Sequence, residues 1–260
     1  MMAGSKDREY IYGVNPVYLT VTKNAGKRKI YSLYLNSERK PTETITEIKQ
    51  ACQDKKIPIL GLDKKSFLDF IRDRVAAGYD TSQGIAAEVS PYNYHSLDHY
   101  LDQQITPGSF LVMLDGITDV GNFGSIIRNC AAFGADGLAI SKKRSVQVTA
   151  KAAKTSAGAL EGVEVFRVPN LVGAIKKLKE SGFWIYGAEA EKTRSTGIGE
   201  AQWNFPLVLV MGSEQKGLSR LVAKNCDYLI NVEMTTDMES LNVSVASGII
   251  LYRIYREVVR

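Results

Sequence analysis

Cysteine and histidine are scarce in this 260-residue chain, and each shortage removes a class of chemistry. Cys52, Cys130 and Cys226 are odd in number, far apart and never spaced C-x-x-C, so neither a disulfide framework nor a thiolate zinc or redox motif is indicated. They read as reduced, mostly buried thiols. His95 and His99 can share a helix face, but the stretch around them supplies no further ligands, and no metal is expected. Long apolar runs are also missing. The longest, such as Phe110 to Leu114 and Leu207 to Met211, fall far short of the roughly 20 residues a membrane helix needs. The first dozen residues, MMAGSKDREYIY, have neither a secretory apolar core nor an Arg/Ser-rich transit pattern, so a cytoplasmic protein without a membrane span is expected. There is no internal repeat and no low-complexity tract. With 45% hydrophobic residues, the chain can bury one substantial core or two modest ones.

Charge is modest, a net +5, but it is clustered. Lys27-Arg28-Lys29, Lys142-Lys143-Arg144, Lys151 with Lys154, and Lys176-Lys177 with Lys179 form separate basic groups. A phosphate backbone is a reasonable partner for them, while a solvated helix or loop face explains each one alone.

Pattern divides the chain into three parts. Residues 1–80 read as a small α/β unit: a helical start at Asn15-Pro16, a strand at Ile30 to Leu35, a polar helix from Thr42 to Lys55, a strand at Ile57 to Leu62 and a helix from Lys64 to Arg74. Residues 81–108 read as a strand, Gly84 to Val89, followed by a linker rich in turn formers, with Pro91 and Pro107 at its ends and room for one short helix. From 109 to 260, the runs FLVML, GLAIS, VEVFRV, FWIYGA, PLVLVMG and DYLINV alternate with helical segments. They are apolar throughout rather than at every second residue, as strands buried on both faces of a parallel sheet must be. The last segment places Leu241, Val245, Ile249, Tyr252 and Val259 on one side at helical spacing, which predicts a C-terminal helix packed on that sheet by this stripe.

Ligands of an open α/β sheet bind beyond the carboxyl ends of its strands, which directs attention to three loops. In LDGITDVGNFGSIIRNCAAFG, Gly116, Gly121 and Gly124 follow a strand and open a helix. The spacing lacks the first glycine of G-x-G-x-x-G, which disfavours a nicotinamide site. Asn122 and Arg128 bracket the start of that helix, and a cation there runs against the helix dipole, which suggests an anionic partner or simply a solvated arginine. In LVLVMGSEQKGLSR, Gly212 and Gly217 expose backbone that can bond a flat heterocycle or its ribose. Glu214 can accept from a hydroxyl or a cation, or can simply favour a helix start. In INVEMTTDMESLNVSVASGIILY, Ser240 reads as the cap of the last helix, whereas Asn242, inside the first turn, is a poor helix former with no such explanation.

Together these segments resemble the SpoU, or TrmH-like, family of RNA 2′-O-ribose methyltransferases of the SPOUT class. The resemblance lies in N-x-G-x-x-x-R at Asn122, Gly124 and Arg128, G-S-E-x-x-G-L-S at Gly212 to Ser219, and S-L-N-V-S-V-A at Ser240 to Ala246, in that order. The stretch KTSAGALEGVEVF looks like the connecting helix and strand of the family. The amino-terminal YIYGVNPV and YSLYLNSERK resemble the ribosomal-protein-like RNA-binding domain of the RlmB and mitochondrial large-subunit rRNA members. The resemblance implies a C-terminal parallel-sheet domain with a trefoil knot, a homodimer with a site shared between subunits, and S-adenosylmethionine as cofactor. It also implies cofactor contacts at Gly212, Val232 and Leu241 and a polar catalytic set of Asn122, Arg128, Glu214, Ser240 and Asn242. The third signature departs from the usual pattern, since Glu233 and Thr236 stand where proline and glycine are common. If the glycine has positive φ, Thr236 is strained.

What this implies is methyl transfer to a ribose 2′-hydroxyl of structured RNA, foremost a guanosine in the peptidyl-transferase region of large-subunit rRNA. A tRNA or antibiotic-resistance methyltransferase has the same chemistry on another target. A non-catalytic RNA-binding assembly factor keeps the fold without the reaction, and cofactor binding separates it from the others.

Overall fold

The computed structural model describes residues 8–23, 28–75, 82–103, 105–143, 145–235 and 240–259. Their contacts divide into two units, 1–93 with 148–162 and 94–147 with 163–260.

The first unit is built on β1 (Glu9–Tyr12), α1 (Val14–Lys23), β2 (Ile30–Asn36), α2 (Glu43–Asp54), β3 (Ile59–Leu62), α3 (Lys64–Val75) and β4 (Ile85–Val89). Among the described residues the strands form one sheet in the order β1-β4-β2-β3, with β4 antiparallel to both neighbours and β2 parallel to β3. Tyr12 and Ala86 pack with Phe67 and Ile71 of α3. The expected boundary at residue 80 falls before β4, and the ladders that β4 makes with β1 and β2 hold it in this unit.

Residues 148–162 join the same unit by burial and charge. Gly158, at φ +88°, brings its turn so close to α1 that a Cβ there would lie 2.7 Å from Leu19 Cδ1 and 2.9 Å from the Asn15 carbonyl oxygen. Arg28, only 3% exposed, donates to Glu9 Oε2 at 3.0 Å, and its Nε lies 3.6 Å from Glu161 Oε1. Its guanidinium also sits 5.1 Å over the Tyr92 ring. The basic group at 27–29 is therefore corrected: Arg28 is a buried structural cation, and a group that is out of water and paired cannot serve as a surface phosphate contact. Lys27 and Arg144 lie outside the described residues.

The second unit begins with α4 (Leu97–Leu101), a helix within the segment expected as linker, then β5 (Phe110–Asp115), α5 (Val120–Phe133) and β6 (Gly137–Ser141). The chain passes through α6 (Ala150–Thr155) in the first unit and returns with β7 (Glu164–Val168), α7 (Leu171–Glu180), β8 (Trp184–Ala188), β9 (Thr196–Gly197) and β10 (Leu207–Gly212). It ends in α8 (Arg220–Asn225), β11 (Tyr228–Asn231) and α9 (Val243–Val258). The seven described strands of this unit form one parallel sheet, order β7-β6-β5-β10-β8-β11-β9. Alternate residues Leu111 and Met113 of β5, with Val208 and Val210 of β10, pack with α4, α7 and α8. Their neighbours Val112, Leu114, Leu209 and Met211 are equally buried and face the other side, as the period of two requires. Strands buried on both faces explain the unbroken apolar runs.

The terminal helix forms, but not on the expected face. Val243, Ser247, Ile250, Leu251 and Ile254 are its buried residues, while Val245, Ile249, Tyr252 and Val259 are 51, 38, 48 and 54% exposed. The helix carries two apolar stripes, and spacing alone does not say which one meets the protein. The choice is marked by a polar contact at the crossing with α5, where Asn129 Nδ2 donates to the Ser244 carbonyl at 2.9 Å and to Ser247 Oγ at 3.0 Å.

Candidate active site

At the carboxyl edge of the sheet, β5 and β10 are neighbours, and the chain leaves β5 for β6 on one side while β10 borders β8 on the other. This reversal of strand order opens a crevice. Asp115 and Gly212 are paired across the two strand ends, and Asp115 Oδ2 accepts from the Ser219 backbone N–H at 2.7 Å. The loop after β10 is a tight backbone knuckle in which Ser213 N–H donates to the Gly217 carbonyl at 3.1 Å and Gly217 N–H to the Ser213 carbonyl at 2.8 Å. A Cβ on Gly212 would lie 2.3 Å from the Gly217 carbonyl carbon, so only glycine permits this approach.

A cavity of about 320 Å³ lies beside the knuckle, within the range of small-molecule pockets. Gly212, Ser213, Glu214, Val232, Ser240 and Leu241 line it, together with Met211, Ile230 and Ile250 on its apolar wall and Glu189 and Lys216 among its polar groups. Three of the helices begin with side chains that bond their own free N–H groups or are bonded nearby. Asp119 caps α5 by accepting from Asn122 N at 2.7 Å, and Asn242 Oδ1 caps α9 by accepting from the backbone N–H groups of Ser244 at 3.0 Å and Val245 at 3.3 Å. Ser219 caps α8.

Asn242 thus replaces Ser240 as the cap of the last helix, correcting the sequence expectation, because the helix begins at Val243 rather than before Asn242. The cap also decides which way the Asn242 amide faces. With Oδ1 committed to the helix, Nδ2 must point outward, and it donates to Asn122 Oδ1 at 3.1 Å and to Glu214 Oε1. Asn122 Nδ2 donates to the same Glu214 oxygen at 3.2 Å. One carboxylate oxygen is therefore held by two amides at the starts of α5 and α9, where the helix dipoles favour negative charge.

Of the residues named from sequence, Asn122, Glu214 and Asn242 are joined by hydrogen bonds, and Gly212, Glu214, Val232, Ser240 and Leu241 share the cavity wall. Arg128 does not flank the start of α5 as expected: it is exposed in the middle of the helix, six residues beyond Asn122, where the terminal dipole does not act, and it does not line the cavity; no hydrogen bond or ion pair involves it among the described residues. Thr236 lies outside the described residues. Sequence reasoning passed over Asp119, Asn129 and Glu189. Asp119 carries the usual signal of a cap, three residues before Asn122. Asn129 is a poor helix former inside a helix, the same clue that singled out Asn242. Glu189 had no signal, since only the sheet order brings the end of β8 to this cavity.

A glycine-shaped crevice at a strand-order reversal, walled by apolar side chains and edged by amides and a carboxylate, is suited to a small organic ligand in an α/β protein. Residues 109–252 match the SpoU rRNA Methylase family, and residues 10–95 match the model described as RNA 2′-O ribose methyltransferase substrate binding. The chain belongs to the SpoU rRNA Methylase family and is an RNA methyltransferase. A protein of Staphylococcus saprophyticus assigned to the TrmH family of tRNA/rRNA methyltransferases is 40% identical, covering 82% of this chain and 83% of its own. The fold is shared with the SpoU methyltransferase AviRb of Streptomyces viridochromogenes, solved with AdoMet, at 22% identity and TM-score 0.78 over 97% of this chain and 91% of that one. An rRNA methyltransferase of Sinorhizobium meliloti, also solved with AdoMet, matches at 20% identity and TM-score 0.77 over 96% and 88%.

SpoU methyltransferases use S-adenosylmethionine. The residues present fit that group: the cavity is of suitable size, its wall of Met211, Ile230 and Ile250 suits a flat purine, and Glu189, Ser213 and Lys216 offer partners for hydroxyl, ammonium and carboxylate groups. No helix among the described residues is long and apolar enough to cross a membrane.

Proposed function

We propose that the protein transfers a methyl group to a ribose 2′-hydroxyl of RNA, with large-subunit rRNA as substrate and a guanosine of its peptidyl-transferase region as the first target to test. The observation that carries this reading is the bridge Asn122–Glu214–Asn242 at the rim of a cavity lined by Gly212, Val232 and Leu241. S-adenosylmethionine supplies an already activated methyl, so the protein's task is alignment and polarisation rather than bond activation. Gly212, Val232 and Leu241 hold the donor, mainly through backbone groups. The amides of Asn122 and Asn242 fix Glu214, whose second oxygen is left to orient the incoming ribose. Ser240 adds a hydroxyl at the cavity wall. Arg128 stabilises the alkoxide that develops on the ribose oxygen; arginine stays protonated, so its contribution is electrostatic and not that of a base.

Arg128 stands outside the cavity of its own chain, and this is met if the enzyme acts as a homodimer in which Arg128 serves the cavity of the second copy. The exposed stripe Val245, Ile249 and Tyr252 on α9, with Phe133 of α5 edge-on to Tyr252 at 5.8 Å, supports such an interface. The 1–93 and 148–162 unit binds the RNA in this reading.

The test has two arms. Arg128→Ala abolishes methyl transfer while leaving S-adenosylmethionine affinity by calorimetry within a few-fold; near-normal turnover removes Arg128 from the mechanism. Mapping ribose methylation in rRNA and tRNA from a knockout strain identifies the target. A site lost from tRNA instead of rRNA favours the alternative substrate, and a wild-type chain that fails to bind the cofactor favours a non-catalytic assembly factor.

A further inference from the structure

The loop that leaves β11 forms part of the cofactor cavity through Val232 and Met234, and between them Glu233 is exposed. Neighbouring side chains of an extended segment point in opposite directions, so a chain that offers 232 and 234 to the cavity must send 233 the other way. Glu233 does so, and it meets a prepared receptor. Its Oε1 accepts from the Gly199 backbone N–H at 3.0 Å. A Cβ on Gly197 would lie 2.2 Å from that oxygen and 2.6 Å from Cδ, and one on Gly199 would lie 3.0 Å from Oε1. The two glycines leave the channel that the Glu233 side chain fills.

The receptor is itself tied down. β9 pairs with β11 through Thr196 opposite Ile230 and Gly197 opposite Asn231, and Ile198 N–H donates to the Asn231 carbonyl at 2.9 Å. The buried Asn231 donates through Nδ2 to Ser195 Oγ at 2.9 Å, and the turn closes on itself as Glu200 and Ala201 N–H donate to the Gly197 carbonyl at 3.0 Å. The two-residue strand β9, unexpected from sequence, is therefore a buttress beside β11, and the Glu233 carboxylate is the strut from the cavity loop to it.

We propose that Glu233 is a positioning residue for the cofactor: by bonding the 197–199 turn it holds Val232 and Met234 in place as the cavity wall, without touching the reacting atoms. The proposal rests on S-adenosylmethionine occupying this cavity.

Calorimetry of the full chain with S-adenosylmethionine, and methyl-transfer rates at saturating cofactor, test it. Glu233→Ala raises Kd about 3- to 10-fold, the worth of one charge-assisted hydrogen bond at an accessible site, and leaves kcat within about twofold. Glu233→Gln keeps an oxygen that can accept from Gly199 and stays within about twofold of the wild type in Kd. Gly197→Ala needs no unusual φ, but its methyl occupies the carboxylate's place, so it weakens binding in the wild type and adds nothing in the Glu233→Ala background. Unchanged affinity in Glu233→Ala, or independent additive losses from the two substitutions, overturns the proposal. A wild-type chain that binds no S-adenosylmethionine refutes the cavity assignment itself, and the proposal with it.

Discussion

Asn242 performs two tasks with the two ends of one amide, and substitutions can separate them. Oδ1 accepts from the backbone N–H groups of Ser244 and Val245, and Nδ2 donates to Asn122 and Glu214. Asn242→Ala removes both. Loss of the cap costs about 1 kcal/mol, and loss of exposed amide bonds that water can replace adds about 0.5 kcal/mol. At roughly 2–4 °C per kcal/mol for a unit of this size, Tm falls by about 3–6 °C. Asn242→Ser keeps a capping oxygen, so Tm stays within about 2 °C of wild type. Neither variant has an amide to donate to Asn122 and Glu214, which leaves Glu214 held by Asn122 alone; a site loosened by about 1 Å loses on the order of 100-fold in rate, so both should lose about 10- to 100-fold in kcat. Thermal unfolding by circular dichroism, paired with single-turnover methyl transfer, reads the two effects separately. Wild-type turnover in Asn242→Ser refutes the role of the bridge, and an unchanged Tm in Asn242→Ala refutes the cap.

Two further outcomes concern the first unit. Glu161→Ala strips a carboxylate from the buried Arg28 and should destabilise this unit by about 3 kcal/mol in urea titrations; a loss below about 1 kcal/mol would mean that the pair contributes little to holding residues 148–162. Glu88 titrates low: burial works to raise its pKa, but the hydrogen bond and charge of Arg8 and the hydroxyl of Ser32 outweigh it. A carboxyl depressed in the folded state stabilises it above the unfolded pKa and loses that contribution as pH falls through the folded one. The stability advantage of wild type over Glu88→Gln should therefore be full at neutral pH and shrink as the solution becomes acidic, and a difference that does not change with pH would refute the assignment.

Most of the order of strands and helices was legible in the sequence because apolar runs and helical spacing are local properties, but the short strands β1 and β9 were not, since four and two residues carry too little pattern. Runs such as LVLVMG announce burial on both sides, and the observed β10 obeys them. The motifs were legible too, since a glycine that must meet backbone, as Gly212 meets Gly217, leaves a mark on the sequence itself. Tertiary structure alone decided the rest. Two apolar stripes on α9 satisfy the same periodicity, and only packing against α5 chose the one carrying Ile250 and Ile254. Residues 148–162 look like any crossover between strands, yet the buried Glu161 beside Arg28 assigns them to the amino-terminal unit. Asn122, Glu214 and Asn242 are widely separated along the chain, and a hydrogen bond reaches about 3 Å in space regardless of sequence distance, so their meeting exists only once the sheet order has brought three loops to one edge.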